Sequence, residues 1–265
     1  MRTNLSSQIT LTRIPLKYYR PENAFEHSVL TRLEKIPTQI YESMEEGSQA
    51  IARDIATQIR RKQAIGKPFV LSLPGGRSPL GVYKELVRMH KEEQLSFQNV
   101  TVFVEFEFYP LTNSANGNLA RIKQELLDHV DIDSAQIHCP EATMPKEAIL
   151  DFCRQYEEQI QAVGGIDCML LGIGSSSNVM FNTAGASLNS RTRMVLLEGA
   201  ARKEAARTFA SEEALPAGVI TMGVSTMMNA RNVILMAWGE DKAHIVRETV
   251  EDKASDAVPS GYLQN

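Results

Sequence analysis

The 265-residue sequence predicts an α/β protein built on a mostly parallel sheet covered by helices on both faces. Three observations predict it. Short apolar runs recur at 68–73, 101–104 and 166–171. Stretches with helical spacing of apolar residues stand between those runs. Glycine-bearing turns follow the first and third runs directly, as strand-to-helix connections do.

The elements follow in order. Residues 43–62 place Met44, Ile51, Ile55 and Ile59 at helical spacing and end in Arg60, Arg61 and Lys62, cations that suit a helix C-terminus. Residues 68–73 read as a buried strand. A helix is predicted over 79–92, with Pro79 in its first turn. A strand at 101–104 and helices at 117–128 and 145–163 come next. The strand at 166–171 runs into Gly172, Ile173 and Gly174. Strands at 193–197, 218–222 and 232–238 and a closing helix at 239–250 complete the pattern. Residues 1–34 mix aromatics, prolines and basic residues without a period. They are expected to form an extended arm on the body or on a neighbouring subunit, with 35–265 as one domain.

Composition narrows the function classes. Apolar residues make up 43% of the chain and charged residues 23%, a globular balance. Net charge is -4 and the pI about 5.8, which does not favour nucleic acid or an acidic membrane as a partner. The cysteines Cys139, Cys153 and Cys168 are odd in number and lack C-x-x-C spacing, which argues against a disulfide framework or a zinc site and for a reducing cytoplasm. No apolar run is long enough to span a bilayer, and the first residues lack the apolar region of a signal peptide.

In parallel sheets ligands bind outside the carboxyl ends of the strands, here just after residues 73, 105, 171 and 238. The segment Pro74-Gly75-Gly76-Arg77-Ser78-Pro79 fits such a place. Its glycines let the backbone turn tightly and approach an anion, and the next helix presents the positive end of its dipole. Ser78 adds a hydroxyl and Arg77 a planar cation. It matches neither a Walker loop nor G-x-G-x-x-G, and taken alone such a turn is more often only a turn. Gly172-Ile173-Gly174-Ser175-Ser176-Ser177-Asn178 is a second glycine loop, read either as a tight turn with serine capping or as part of a site.

Five segments in this order resemble the glucosamine-6-phosphate deaminase family, a branch of the sugar-phosphate isomerase and 6-phosphogluconolactonase group. They are LSLPGGRSPLGVYKELVRMHKEEQLSFQNV at 71–100, LDHVDID at 127–133, GIDCMLLGIG at 165–174, FNTAGASLNSRTR at 181–193 and TMGVSTMMNARNVILMAWG at 221–239. The resemblance runs from about Ile36 to Gln264. The lactonase branch lacks the SRTR segment and the T-x-G-V-x-T-x-M-x-A-R run. The resemblance implies a three-layer, Rossmann-like sandwich of deaminase/isomerase topology that binds an aminosugar 6-phosphate. In active relatives a histidine opens the ring, an aspartate moves a proton between C2 and C1, and ammonia leaves to give fructose 6-phosphate. It implies no metal or organic cofactor. The expected partners are a sugar phosphate and either copies of the chain, as a trimer or hexamer, or an active homologue.

On the same resemblance the chemical positions are replaced. The family's F-N-M-D-E-Y-x-G-L falls on residues 103–111, so the proton-transferring aspartate becomes Phe106. Its G-x-G-x-D-G-H-x-x-F-N-E falls on 172–183, so an aspartate becomes Ser176, the ring-opening histidine Asn178 and its supporting glutamate Thr183. None of the four titrates near neutral pH. Glu105 and Glu107 flank Phe106. In continuous strand pairing neither enters the pocket, whereas a bulge there turns Glu105 inward. The phosphate end matches better: Gly75, Gly76 and Ser78 fit the cradle, Arg77 replaces a glycine, and Arg207 and Lys242 fall on phosphate-binding positions. At the family's regulatory site Arg193 remains, but Ala186 and Val195 replace a serine and a lysine. The chain is therefore expected to bind a sugar 6-phosphate with weak or no deaminase activity. The alternatives are an isomerase or deaminase using Glu105 as a substitute base, and a non-catalytic structural subunit. Relatives continue past the L-Q at 263–264 into a further strand and helix, which this sequence is expected to lack.

Overall fold

The structure is a computed structural model, and it describes residues 23–174, 176–206, 208–209 and 214–265. Five strands form a parallel sheet: β1 (Phe69–Leu73), β2 (Val100–Val104), β4 (Ile137–His138), β5 (Cys168–Gly172) and β8 (Val233–Met236). Their order is β4-β2-β1-β5-β8. The chain thus builds outward from β1 in one direction and then returns to build from β5 in the other. The reversal falls between β1 and β5, where an open sheet of this kind leaves a crevice at its carboxyl edge.

The three central strands are apolar runs because both their faces are covered. Phe69, Leu71 and Leu73 of β1, Val100, Val102 and Val104 of β2, and Cys168 and Leu170 of β5 share one core. That core also holds residues from α2 (Met44–Ala64), α3 (Leu80–Glu93) and α4 (Asn118–Glu125). The alternate residues Val70, Phe103, Met169 and Leu171 enter a second core with Tyr156 and Ile160 of α5 (Ile149–Ala162) and Val224 and Met227 of α7 (Val224–Met228). This is the period-2 alternation of a strand expressed as a helix–sheet–helix sandwich.

Not every predicted strand joins that sheet. The segments at 193–197 and 218–222 form β6 (Arg193–Leu196) and β7 (Gly218–Thr221) of a separate antiparallel sheet, order β3-β7-β6. Its first strand, β3 (Phe106–Tyr109), is not anticipated from the sequence. The alternation of helix and strand signals says where strands are and not which neighbours they pair with. Here the chain bends at Glu105, directly after β2, and the continuing residues find β7 running the opposite way, with Phe106 opposite Thr221. A third core fills the space under this sheet: Phe106, Phe108, Phe181, Leu197 and Val219, closed by Ala201 and Ala205 of α6 (Gly199–Ala206).

The extended-arm expectation for 1–34 also changes where the structure describes it. Residues 24–31 form α1 (Ala24–Thr31), capped by the Asn23 side chain, which accepts from the Glu26 N–H at 2.9 Å. The reason is local: an Asx cap followed by a run free of glycine and proline is a helix start. The chain then joins the body through Lys35, whose N–H donates to the Val250 carbonyl of α8 (Ala243–Val250). Pro79, expected inside the first turn of its helix, is instead the N-cap residue of α3.

Candidate functional site

The glycine loop sits where β1 gives way to α3, beside the crevice. Pro74 is anchored from the helix: the buried Tyr83 hydroxyl donates to its carbonyl at 2.6 Å. Gly76 has φ +83°, a left-handed conformation that an L side chain resists, and it lies open to solvent. Gly75 is glycine for a different reason, close approach: an added Cβ would lie 1.7 Å from Asn118 Oδ1. Arg77 is exposed. Ser78 bridges towards β5, its Oγ 3.3 Å from where a Cβ on Gly172 would stand. The N-terminus of α3 carries no capping side chain.

The end of β8 is tied to the same loop. The Trp238 indole N–H donates to the Ser78 carbonyl at 2.9 Å. Four residues on, Lys242 is half-buried at the end of a 3-10 turn, where it is the N-cap residue of α8. Four of the six residues expected at the phosphate end thus form one loop, and Lys242 follows a segment bonded to it. The sixth, Arg207, lies outside the described residues.

The second glycine loop folds back on itself. Asn178, buried, has its side chain over Gly174: a Cβ there would stand 1.9 Å from Oδ1. The Ser176 hydroxyl donates to Asn178 Oδ1 at 3.1 Å, and the Gly174 N–H donates to the Asn178 carbonyl. Ser177, Met180 and Phe181 all have positive φ, 58°, 49° and 56°. For bulky side chains that conformation needs support. Asn182 supplies it, donating from Nδ2 to the carbonyls of Val179 and Met222, while the Thr221 hydroxyl donates to the Met180 carbonyl at 2.6 Å. Thr183 is half-buried in the turn that follows.

Phe106 is packed rather than presented. It is 9% exposed and meets Phe181 edge to face at 4.8 Å and Phe108 at 5.7 Å. The carboxyl groups on either side of it differ in kind. Glu105, at the bend, is 1% exposed; its Oε1 has no hydrogen-bond partner, and burial pushes its pKa well above the usual carboxylate range. Glu107 accepts from the N–H groups of Phe108, Asn118 and Leu119, at 2.9, 2.7 and 2.9 Å. Burial raises its pKa as well, against the opposing pull of those donors. Of the two alternatives for this segment the structure has the interrupted one: parallel pairing ends at Val104, antiparallel pairing begins at Phe106, and Glu105 is buried at the bend between them.

The sequence reading missed Asn118, Tyr83 and Trp238, which hold the loop. Asn118 stands in an ordinary helix start after Gly117, with nothing local to mark it. Among the described residues no group of three or more His, Cys, Asp or Glu side chains could hold a metal ion, and no helix is long and apolar enough to cross a membrane.

A five-stranded parallel sheet whose glycine turn opens at the strand-order reversal is the frame of α/β proteins that bind small ligands at the strands' carboxyl ends. The profile of glucosamine-6-phosphate isomerases/6-phosphogluconolactonase matches residues 42–265, and the chain belongs to that family. A glucosamine-6-phosphate deaminase-like protein of Bacteroides thetaiotaomicron is 57% identical over the whole chain, which corresponds to 40% of that protein's length. The glucosamine-6-phosphate deaminase of Shewanella woodyi is 38% identical over 82% of this chain and 82% of its own. Among solved structures, a monomeric glucosamine-6-phosphate deaminase superposes with a TM-score of 0.79 at 32% identity, covering 84% of this chain and 90% of that one. The 6-phosphogluconolactonase of Trypanosoma brucei shares the fold at a TM-score of 0.67 and 21% identity, covering 86% and 92%.

Proposed function

We propose that the chain binds a sugar 6-phosphate, with the phosphate on the Gly75–Ser78 loop and near Lys242, and that it releases ammonia from glucosamine 6-phosphate weakly or not at all. The single observation that carries the second half is the environment of Phe106. Where the family resemblance expects a proton-transferring aspartate, an apolar ring is locked among Phe108 and Phe181. A ring carries no proton. Proton transfer by a positioned side chain is worth about 10²–10⁴-fold. Asn178, expected at the ring-opening histidine, is an amide held against Gly174. Support for the first half is the loop itself: a left-handed glycine, an uncapped N-terminus of a 14-residue helix, and the Ser78 hydroxyl beside Gly172 at the end of β5. Such a terminus favours a dianion. Arg207 is part of this reading by sequence alone.

The test pairs binding with turnover. Thermal unfolding is followed with glucosamine 6-phosphate, fructose 6-phosphate and unphosphorylated glucosamine, and ammonia release is measured on the same preparation. The expected result is a midpoint raised by both phosphates and not by glucosamine, as mass action requires of a ligand of the native state, with ammonia at background. No shift at millimolar phosphate esters sinks the binding half. Brisk ammonia release sinks the other.

A second reading is favoured by Glu105. It is the buried carboxyl at the bend, unpartnered at Oε1, and the burial that raises its pKa makes its ionised form a stronger base than an exposed carboxylate. On that reading the chain isomerises or deaminates its ligand through Glu105, and Glu105→Gln abolishes whatever turnover the wild type has.

A further inference from the structure

We propose that Asn118, held in place by Glu107, is a positioning residue that sets the shape of the Gly75–Gly76 turn and through it the affinity for a phosphate ester. The inference rests on the sugar-phosphate reading above. It goes beyond that reading by naming the side chains that build the cradle from behind.

The contacts form a chain from the second sheet to the loop. Glu107, on β3, places its carboxyl at the N-terminus of α4, where its Oε1 accepts from the Asn118 N–H and its Oε2 from the Leu119 N–H. Gly117, the N-cap residue, has no side chain to do this. A carboxyl on the first-turn N–H groups of a helix is the favourable arrangement of charge and dipole. Asn118 is thereby fixed by its backbone, and it is 4% exposed. Its side chain then spans two partners. Nδ2 donates to the Phe106 carbonyl at 2.9 Å. Oδ1 occupies the space a side chain on residue 75 would take, 1.7 Å from an ideal Cβ.

Asn118 therefore reports the position of β3 to the glycine loop. It also explains why residue 75 is glycine although its φ lies outside the left-handed region. Gly76 differs: its Cβ direction is open, and its φ of +83° is the constraint. The two glycines of the turn are there for two reasons, and only the first depends on another side chain.

That difference gives the test, a double-mutant cycle on the whole chain. Gly75→Ala alone collides with Asn118 and is expected to lower the unfolding midpoint and to weaken fructose 6-phosphate binding at least about tenfold, as the loss of one or two well-placed hydrogen bonds does. Asn118→Ala alone is expected to weaken fructose 6-phosphate by a similar factor while leaving the weak affinity for fructose unchanged, a selectivity that general destabilisation would not produce. In the double variant the collision is gone, so Gly75→Ala costs far less midpoint in the Asn118→Ala background than in the wild type. Additive midpoints overturn the claim that Asn118 sets the turn. Wild-type fructose 6-phosphate affinity in Asn118→Ala overturns its role in binding. If the wild type itself binds no fructose 6-phosphate, the sugar-phosphate reading falls and takes the ligand half with it, while the midpoints of the ligand-free proteins still decide the loop half.

Discussion

Replacing Glu105 with glutamine should change how stability depends on pH more than it changes stability at any one pH. The Glu105 carboxyl is buried without a partner at Oε1, and desolvation raises its pKa well above 4.5 in the folded chain. In the unfolded chain it titrates normally. Between those two values the native state holds a proton that the unfolded state has lost, so stability falls as pH rises. The loss begins near pH 4.5 and ends only at the raised folded value. Inside the window the slope for one proton is about 1.4 kcal/mol per pH unit. Glutamine cannot ionise and removes this contribution, whatever constant offset its amide brings. Glu107, raised in the same sense, titrates in both proteins, and Tyr83 and Tyr156, the buried hydroxyls that feel Glu105, stay neutral across this range. Urea unfolding of both proteins from pH 5 to 8 at fixed ionic strength reads the difference. A gap between wild type and Glu105→Gln that widens in favour of the variant with rising pH supports the reasoning. A gap that stays constant refutes it, because it means that Glu105 is already ionised or is reached by water.

Three further outcomes follow from single contacts. Phe106→Ala should cost about 3–5 kcal/mol in urea unfolding, the range for emptying a buried aromatic site, because its ring is the centre of the Phe108–Phe181 cluster. Gly76→Ala should cost only about 1–2 kcal/mol, all of it from the left-handed backbone since nothing stands near its Cβ, and fructose 6-phosphate affinity should fall with it by titration calorimetry. Asp167→Ala should cost about 2–4 kcal/mol by thermal unfolding, chiefly because the Val70 N–H at the head of β1 loses its buried acceptor; the pairs with Lys62 and Arg231, both partly exposed, add little.

The parts of this fold that can be read from sequence are those whose signal is local. β1, β2 and β5 are continuous apolar runs because both faces are buried, and α2 shows its period because only one face is. β4 is two residues long and half-exposed, too short to carry a pattern. β6 is an outer strand of its sheet with Leu196 exposed, so its run is legible while its partner is not. Pairing is a long-range choice. Phe106 finds Thr221 across more than a hundred residues, and only the bend at Glu105 lets it. The site divides in the same way. Gly75, Gly76 and Ser78 announce a loop by composition. Asn118 and Trp238 act on that loop from 43 and 160 residues away, and no short window of sequence contains both ends of either contact.

The division between the two halves of the proposed function has a physical basis in what each half is made of. The phosphate end, on this reading, relies on backbone: a left-handed glycine, the dipole of α3, and a turn shaped from behind by Asn118. Those features follow from the fold and persist as long as β1, α3 and α4 pack. The chemical end, on the same reading, relies on side-chain protons at four positions, and each can be removed by one substitution without moving the main chain. Phe106 illustrates the exchange. Its backbone keeps the antiparallel pairing with Thr221 and its carbonyl accepts from Asn118, while its ring adds apolar contact with Phe181. A charged carboxyl in that cluster would carry a desolvation cost of several kcal/mol. On the proposed reading the ring removes that cost along with the proton, so the change that would silence the chemistry also stabilises the site. On that reading a Phe106→Asp protein should unfold at lower urea than the wild type and still release no ammonia, because an amide, Asn178, stands where the resemblance expects the ring-opening histidine. Recovery of ammonia release by that one substitution would show that the loss of chemistry lay at residue 106 alone.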